Sequence, residues 1–225
     1  YLQGRNYVDS KGNLSLFRAK DITQVEPETI SESLPSFNWQ TVYGRQISLS
    51  SSEEKQIRES ISNGVNAKLR SYQLEGVRWL ATMRINHHGC LLADEMGLGK
   101  TLQVLSHLYA LGKTDMPHLV IAPTSLVYNW QSEIKKFIPS WENRIGVQLH
   151  SPDKTKQLLI VSYDILRLNI DKYRQIEYDT IIIDEAQIIK NRETQKYKAI
   201  KTLKSLHHII LTGTPIENSI DDIWS

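Results

Sequence analysis

The chain has 225 residues, 40% hydrophobic and 23% charged, an ordinary globular balance with room for one α/β domain and an appendage. A formal net charge of +2 argues against a uniformly basic or acidic surface, so any nucleic-acid-binding face has to be a local patch. The single cysteine, Cys90, excludes an internal disulfide and fits a reducing compartment, and no run of about 18 apolar residues offers a membrane span.

Residues 1–66 are rich in Ser, Asn, Gln and Glu. Tyr7-Val8 and Leu14-Ser15-Leu16-Phe17 read as a short hairpin around Asp9-Ser10-Lys11-Gly12-Asn13. Glu26-Pro27 and Leu34-Pro35 punctuate the next stretch, and 37–42 and 45–49 read as short strands. Ser51 or Ser52 caps a helix running to about Ile61, which Asn63-Gly64 stops. No chemistry is visible here. The region reads as the end of an upstream domain packed on the main one, with a linker as the alternative. A start at Tyr1 rather than Met is expected of a piece of a longer polypeptide, and a signal peptide upstream stays open.

The pattern changes at Lys68. Residues 69–80 read as a helix with Leu69, Tyr72, Val77 and Leu80 as its apolar contacts. Gln73 on this helix reads as a solvated polar residue, although an amide can both donate to and accept from an adenine edge. A strand over 89–93, with Cys90 as a small buried hydrophobe, then feeds Asp94-Glu95-Met96-Gly97-Leu98-Gly99-Lys100-Thr101. Strand, Gly-bearing turn and helix start at Lys100-Thr101 are the layout of a phosphate-binding loop. Gly97 and Gly99 allow positive φ and close approach to an anion, and the helix-start amides point at it. Lys100 would supply charge to β- and γ-phosphates, and the Thr101 hydroxyl would ligate Mg2+. Asp94 stands where the pattern G-x-x-x-x-G-K-[ST] has its first Gly, so the stretch also suits a plain strand-to-helix turn.

The helix over 100–111 keeps Leu102, Leu105, Leu108 and Leu111 at helical spacing and ends at Gly112. A strand over 118–122 ends at Pro123-Thr124-Ser125, where Thr124 or Ser125 caps a helix carrying Leu126, Trp130, Ile134 and Phe137 on one side. Strands over 145–149 and 158–161 follow, the second ending at Ser162-Tyr163. The next strand, Thr180-Ile181-Ile182-Ile183, is apolar enough for burial on both faces and stops at Asp184-Glu185-Ala186-Gln187. In a phosphoryl-transfer site Asp184 would hold Mg2+ and Glu185 would orient or deprotonate the attacking water. The alternative is a helix N-terminus capped by Asp184, which acidic residues also favour. A basic helix over about 193–206, with Lys190, Arg192, Lys196, Lys198, Lys201 and Lys204 in or near it, turns Tyr197, Ile200 and Leu203 inward. It reads as a solvated face first and a DNA contact second. The last strand, 208–211, ends at Thr212-Gly213-Thr214-Pro215, which is either crevice lining or a simple turn. Alternating strands and helices from residue 89 give an α/β class with a parallel sheet. All the chemically suggestive residues fall at strand carboxyl ends.

These motifs, in this order, resemble the Swi/Snf-type ATPases of the superfamily 2 helicase-like proteins. The resemblance covers residues 68–225 and rests on 69–77, on Asp94 to Thr101, on Ala122 to Trp130, on Asp184 to Gln187 with Ile189-Lys190-Asn191, and on Leu211 to Asn218. Asp94 in place of Gly is usual in that family, and Gln187, where many members have His, looks like a bacterial variant. The resemblance implies a RecA-like lobe over 67–225, preceded by the appendage 1–66, with the last strand lying between those ending at Ala93 and Ile183. It implies that Gln73, with Arg70, reads adenine and that the segment Asp94 to Thr101, including Glu95, Met96 and Leu98, holds ATP with Mg2+, with Gln187 beside it. Pro123, Thr124, Ser125, Ser162 and Tyr163 would touch a DNA strand, and Thr212, Gly213 and Thr214 would couple nucleotide state to DNA contact.

Implied partners are double-stranded DNA, a second RecA-like lobe of the same parent chain and a DNA-bound protein target, without a membrane. The implied location is cytoplasmic, at a bacterial nucleoid, or nuclear in a eukaryote. In the family the second lobe supplies arginine fingers, which are worth about 10³–10⁵ in rate in related phosphoryl-transfer systems. The lobe alone is therefore expected to hydrolyse ATP negligibly. Competing readings are a nucleotide-dependent switch that docks on a protein and a small-molecule kinase. The kinase reading lacks an acceptor site, and Asp-Glu-Ala-Gln favours water as the nucleophile.

Overall fold

The computed structural model describes residues 48–95, 97–189, 191 and 194–213, within one compact unit spanning Ser48–Asn218. The hairpin, the strand expected over 37–42 and residues 45–47 of that expected over 45–49, and the positions Met96, Lys190, Arg192, Glu193 and Thr214, lie outside the described residues, while Ser48 and Leu49 are not in a strand. The elements are α1 (Ser51–Gly64), α2 (Ser71–Ile85), β1 (Cys90–Leu92), α3 (Lys100–Ala110), β2 (His118–Ala122), α4 (Thr124–Phe137), β3 (Ile145–Val147), β4 (Leu158–Ser162), α5 (Tyr163–Leu168), α6 (Ile170–Tyr173), β5 (Glu177–Ile183), α7 (Gln195–Lys201) and β6 (Lys204–Leu211). Short 3-10 turns cover Pro139–Arg144 and Ala186–Ile189.

The six strands form one sheet in the order β1-β6-β5-β2-β4-β3, and every neighbouring pair is parallel. The last strand thus lies between the first and the fifth, as the family resemblance implied. All residues of β2 and β4 are buried, as is β5 after Glu177, which explains their unbroken apolar runs. Each buried Leu, Ile or Val contributes about 1.5–3 kcal/mol. No helix among the described residues is long and apolar enough to cross a membrane.

Several boundaries differ from the sequence reading, each for a local reason. Ser50, rather than Ser51 or Ser52, caps α1, and Glu53 reaches back to the Ser50 amide at 2.8 Å to complete a capping box. Ile61 and Val65 are buried in the core cluster, so α1 packs on the lobe. Helix α2 runs on to Ile85, and Tyr72 is exposed on it while Val77 and Leu80 are buried. Pro123 takes the N-cap position of α4, and no side chain caps that helix, so neither Thr124 nor Ser125 does. Strand β3 stops at Val147 because Gln148 turns left-handed, at φ 53°. Residues 204–206 form the start of β6 beside β5 rather than the end of a helix, Ser205 pairing with Tyr178. The basic helix is therefore only Gln195–Lys201, capped by the Thr194 hydroxyl.

Candidate nucleotide site

Parallel pairing brings the carboxyl ends of five strands to one edge of the sheet. Leu92 is level with Leu211, Ile210 with Ile183, Ile183 with Ile121, and Ile121 with Val161. The segments that follow, beginning at Ala93, Thr212, Asp184, Ala122 and Ser162, therefore form one row. Only β6 separates β1 from β5, so the glycine-bearing loop and the acidic pair start two strand spacings apart, roughly 10 Å.

The loop has the backbone that its glycines suggest. Gly97 and Gly99 take φ of 84° and 76°. A Cβ at Gly99 would be strained by the positive φ and would lie 2.5 Å from Gln73 Nε2, so a side chain there would also have to displace the Gln73 amide. Around Gly97 a Cβ would meet nothing within 4 Å, so the turn has open space beside it. Gly99 is the N-cap of α3 and no side chain caps that helix, which leaves its first-turn amides directed at the crevice. Lys100 Nζ donates to the Asp94 and Glu95 carbonyls at 2.6 and 3.0 Å, so the ammonium sits over its own loop. The Asp94 carboxylate accepts from Gln103 Nε2 at 3.2 Å, which gives the residue replacing the usual Gly a structural role. Gly76 makes room for Gln103, whose Oε1 would stand 1.9 Å from a Cβ there.

Gln73 corrects the expectation of a solvated residue. It is buried, its Oε1 accepts from the Arg70 amide at 2.9 Å, and its Nε2 donates to the Leu98 carbonyl at 3.2 Å. The side chain ties the start of α2 to the loop, and each end of the amide still has capacity for one further bond. Arg70 is exposed beside it.

Asp184 and Glu185 leave β5 in an unusual conformation, with Glu185 at φ 51°. A non-glycine residue held there costs about 1–3 kcal/mol, a kind of strain that clusters at functional sites. Asp184 is tied at four points. Its amide donates to Ile121 O at 2.8 Å, and its carbonyl accepts from Tyr163 Oη at 2.7 Å. Its Oδ1 accepts from the Glu185 amide at 2.9 Å, and its Oδ2 accepts from Trp130 Nε1 at 2.8 Å. Burial raises its pKa, and the neighbouring Glu185 charge adds to this, while the Trp130 bond and the Lys100 ammonium pull it back. Gln187 donates from Nε2 to Glu185 Oε2 and accepts at Oε1 from the Thr212 hydroxyl at 3.1 Å. Thr212 in turn donates its amide to Leu92 O at 3.3 Å, so a hydrogen-bonded line runs from Glu185 to the strand that feeds the loop.

The predicted DNA-contact residues separate into two groups. Thr124 and Ser125 are exposed and Pro123 half-buried at the end of β2. Ser162 and Tyr163 are buried. The Ser162 hydroxyl caps α5 by accepting from the Ile165 amide at 3.3 Å, and the Tyr163 hydroxyl donates to the Asp184 carbonyl at 2.7 Å. Trp130 and Gln103 escaped the sequence reading as site residues. A buried indole needs a partner for its N–H, which was the available signal for Trp130, though not for which group it meets.

An Mg2+-bound nucleotide fits this donor set: an ammonium, a free helix start, a hydroxyl at Thr101 and one ionisable carboxylate at Asp184. Among the described residues no group of three or more His, Cys, Asp or Glu side chains is placed to hold a metal alone. An ion bound by Thr101 and Asp184 would therefore take its other ligands from phosphates and water, the usual manner for Mg2+.

Known proteins have similar sequences. Residues 72–225 match the SNF2-related domain. The putative ATP-dependent helicase/translocase YwqA of Bacillus subtilis is 38% identical over 180 residues, covering 73% of this chain and 19% of that protein. The chromatin-remodeling ATPase INO80 of Candida albicans is 34% identical over 183 residues, covering 72% of this chain and 13% of that one. The Sulfolobus solfataricus SWI2/SNF2 ATPase core in complex with dsDNA superposes with a TM-score of 0.65 at 39% identity, over 72% of this chain and 35% of that one. The chain spans about a fifth or less of the length of these two curated relatives.

Proposed function

Because this chain belongs to the SNF2-related domain family, we propose that it is the first, ATP-binding lobe of a DNA-dependent ATPase that moves along double-stranded DNA and remodels protein–DNA complexes. The observation that supports this reading is the row of strand ends, in which the segment leading to Lys100 and Thr101 and the segment bearing Asp184 and Glu185 start with only β6 between them. In this reading the amides of 97–101 and the Lys100 ammonium hold the β- and γ-phosphates of ATP. Thr101 and Asp184 hold Mg2+, which when bound neutralises charge developing on those phosphates. Glu185 orients the attacking water and accepts its proton. Gln187 holds the Glu185 carboxylate, and Thr212 holds Gln187, so movement of the 212–214 segment would be felt at the base. Gln73 reads the adenine edge with Arg70 alongside. Pro123, Thr124 and Ser125 contact one DNA strand, and a second lobe of the parent chain closes on the nucleotide.

A titration of the full-length protein's ATPase rate with duplex DNA tests this. Stimulation that weakens as salt rises is expected, since phosphate contacts release counterions. A rate indifferent to DNA but responsive to a protein partner would instead indicate a switch without motor action.

A further inference from the structure

The nucleotide reading gives Trp130 no part, yet the structure puts its only polar atom on the metal-site carboxylate. We propose that Trp130 is a positioning residue, whose indole N–H fixes the Asp184 carboxylate in the orientation that meets Mg2+. This rests on the nucleotide reading above.

The geometry is specific. Asp184 has two carboxylate bonds, and the one at Oδ1 comes from the adjoining Glu185 amide, which moves with it. The bond at Oδ2, from Trp130 Nε1 at 2.8 Å, comes from a different element, α4. Trp130 is 2% exposed, so water cannot readily replace that donor. The helix is itself immobilised, with Val127 and Ile134 fully buried one turn to either side of the indole. A buried indole could equally be satisfied by a backbone carbonyl, and packing alone would be served by any aromatic ring. Its alignment on Asp184 is what packing does not require. Outer partners that orient a metal-binding carboxylate commonly matter 10–100-fold to metal affinity. Helix α4 also begins at Pro123-Thr124-Ser125, so a shift of that segment would reach Asp184 through one rigid helix and one hydrogen bond.

The test uses the full-length protein and a fluorescent, non-hydrolysable ATP analogue, titrated in Mg2+ and again in EDTA. In wild type Mg2+ tightens binding. In Trp130→Phe that tightening is expected to shrink about 10-fold while affinity in EDTA stays unchanged, because the loop is untouched. A Trp130→Phe protein with the full wild-type Mg2+ effect would overturn the proposal alone. Should that variant fail to fold, benzothienylalanine at position 130 removes the N–H and keeps the shape. A reduced Mg2+ effect there supports the proposal, and an unchanged one overturns it. If wild type does not bind the analogue, or Lys100→Ala binds it equally well, the nucleotide reading fails and this proposal falls with it.

Discussion

The two ends of the sheet both bury charge, and they handle it in opposite ways. At the amino ends of β2, β5 and β6, Asp179 accepts two hydrogen bonds from the Arg84 guanidinium, at 2.7 and 2.9 Å. His118 Nδ1 lies 3.3 Å from the same carboxylate, out of line for a good hydrogen bond. Burial alone would raise the Asp179 pKa, but these neighbours hold it well below the usual carboxylate range. At the carboxyl ends, Asp184 is half-buried, its carboxylate accepts from an indole and an amide among the described residues, and partial burial raises its pKa. Lys100 is bonded to carbonyls, not to that carboxylate. One end neutralises its charges within the fold. The other keeps cation and anion apart, as a site must if a charged ligand is to come between them.

That contrast predicts the largest effect at the paired end. Asp179→Asn leaves the half-buried Arg84 without its counter-charge, and we expect the larger loss of stability here, read as a fall in Tm or denaturant midpoint. Asp184→Asn removes a desolvated charge and keeps an acceptor for Trp130, so stability should hold or rise slightly while Mg2+-dependent nucleotide binding is lost. Equal losses of stability in both variants would erase the distinction.

A second, smaller effect is in pH. Burial lowers the pKa of His107 to about 3 and of His207 to about 4, with the nearby Arg84 charge adding to both. Their unfolded values lie near 6.5, so below that pH the unfolded chain binds more protons than the folded one. The stability these two contribute is present above about pH 6.5 and is lost as pH falls toward 4 and then 3. Asp184 has the opposite sign, since its raised pKa favours the folded state once acid protonates it. Melting temperatures taken from pH 7.5 down to pH 5 should fall, and His207→Gln should flatten the slope.

The smallest expected effect concerns Tyr163. Tyr163→Phe removes one hydrogen bond to the Asp184 carbonyl and should cost about 0.5–1.5 kcal/mol of stability. DNA affinity of the full-length protein should be unchanged. A selective loss of DNA binding would restore Tyr163 as a direct contact.

The site's backbone was largely legible because its features are local. Gly97, Gly99, Lys100 and Thr101 announce their turn, and the run of isoleucines before Asp184 announces a buried strand. The strand order came from family resemblance, since no local pattern tells which parallel strands are neighbours. What stayed hidden were contacts between distant segments. Gln73 looks solvated until Leu98 O is brought to it, and Trp130 looks like a core residue until β5 delivers Asp184. Ser162 and Tyr163 follow a strand end as Thr124 does, yet tertiary packing buries one pair and exposes the other. Lys204 to Leu206 carry charge beside apolar residues, and only pairing with Glu177 and Tyr178 makes them a strand.

Hydrolysis of ATP by the full-length protein, with saturating duplex DNA, compared among wild type, Lys100→Ala and Glu185→Gln, tests most directly whether the loop and the acidic pair form one working site. Both variants should lose DNA-stimulated turnover. Wild-type rates in both would remove these residues from the reaction.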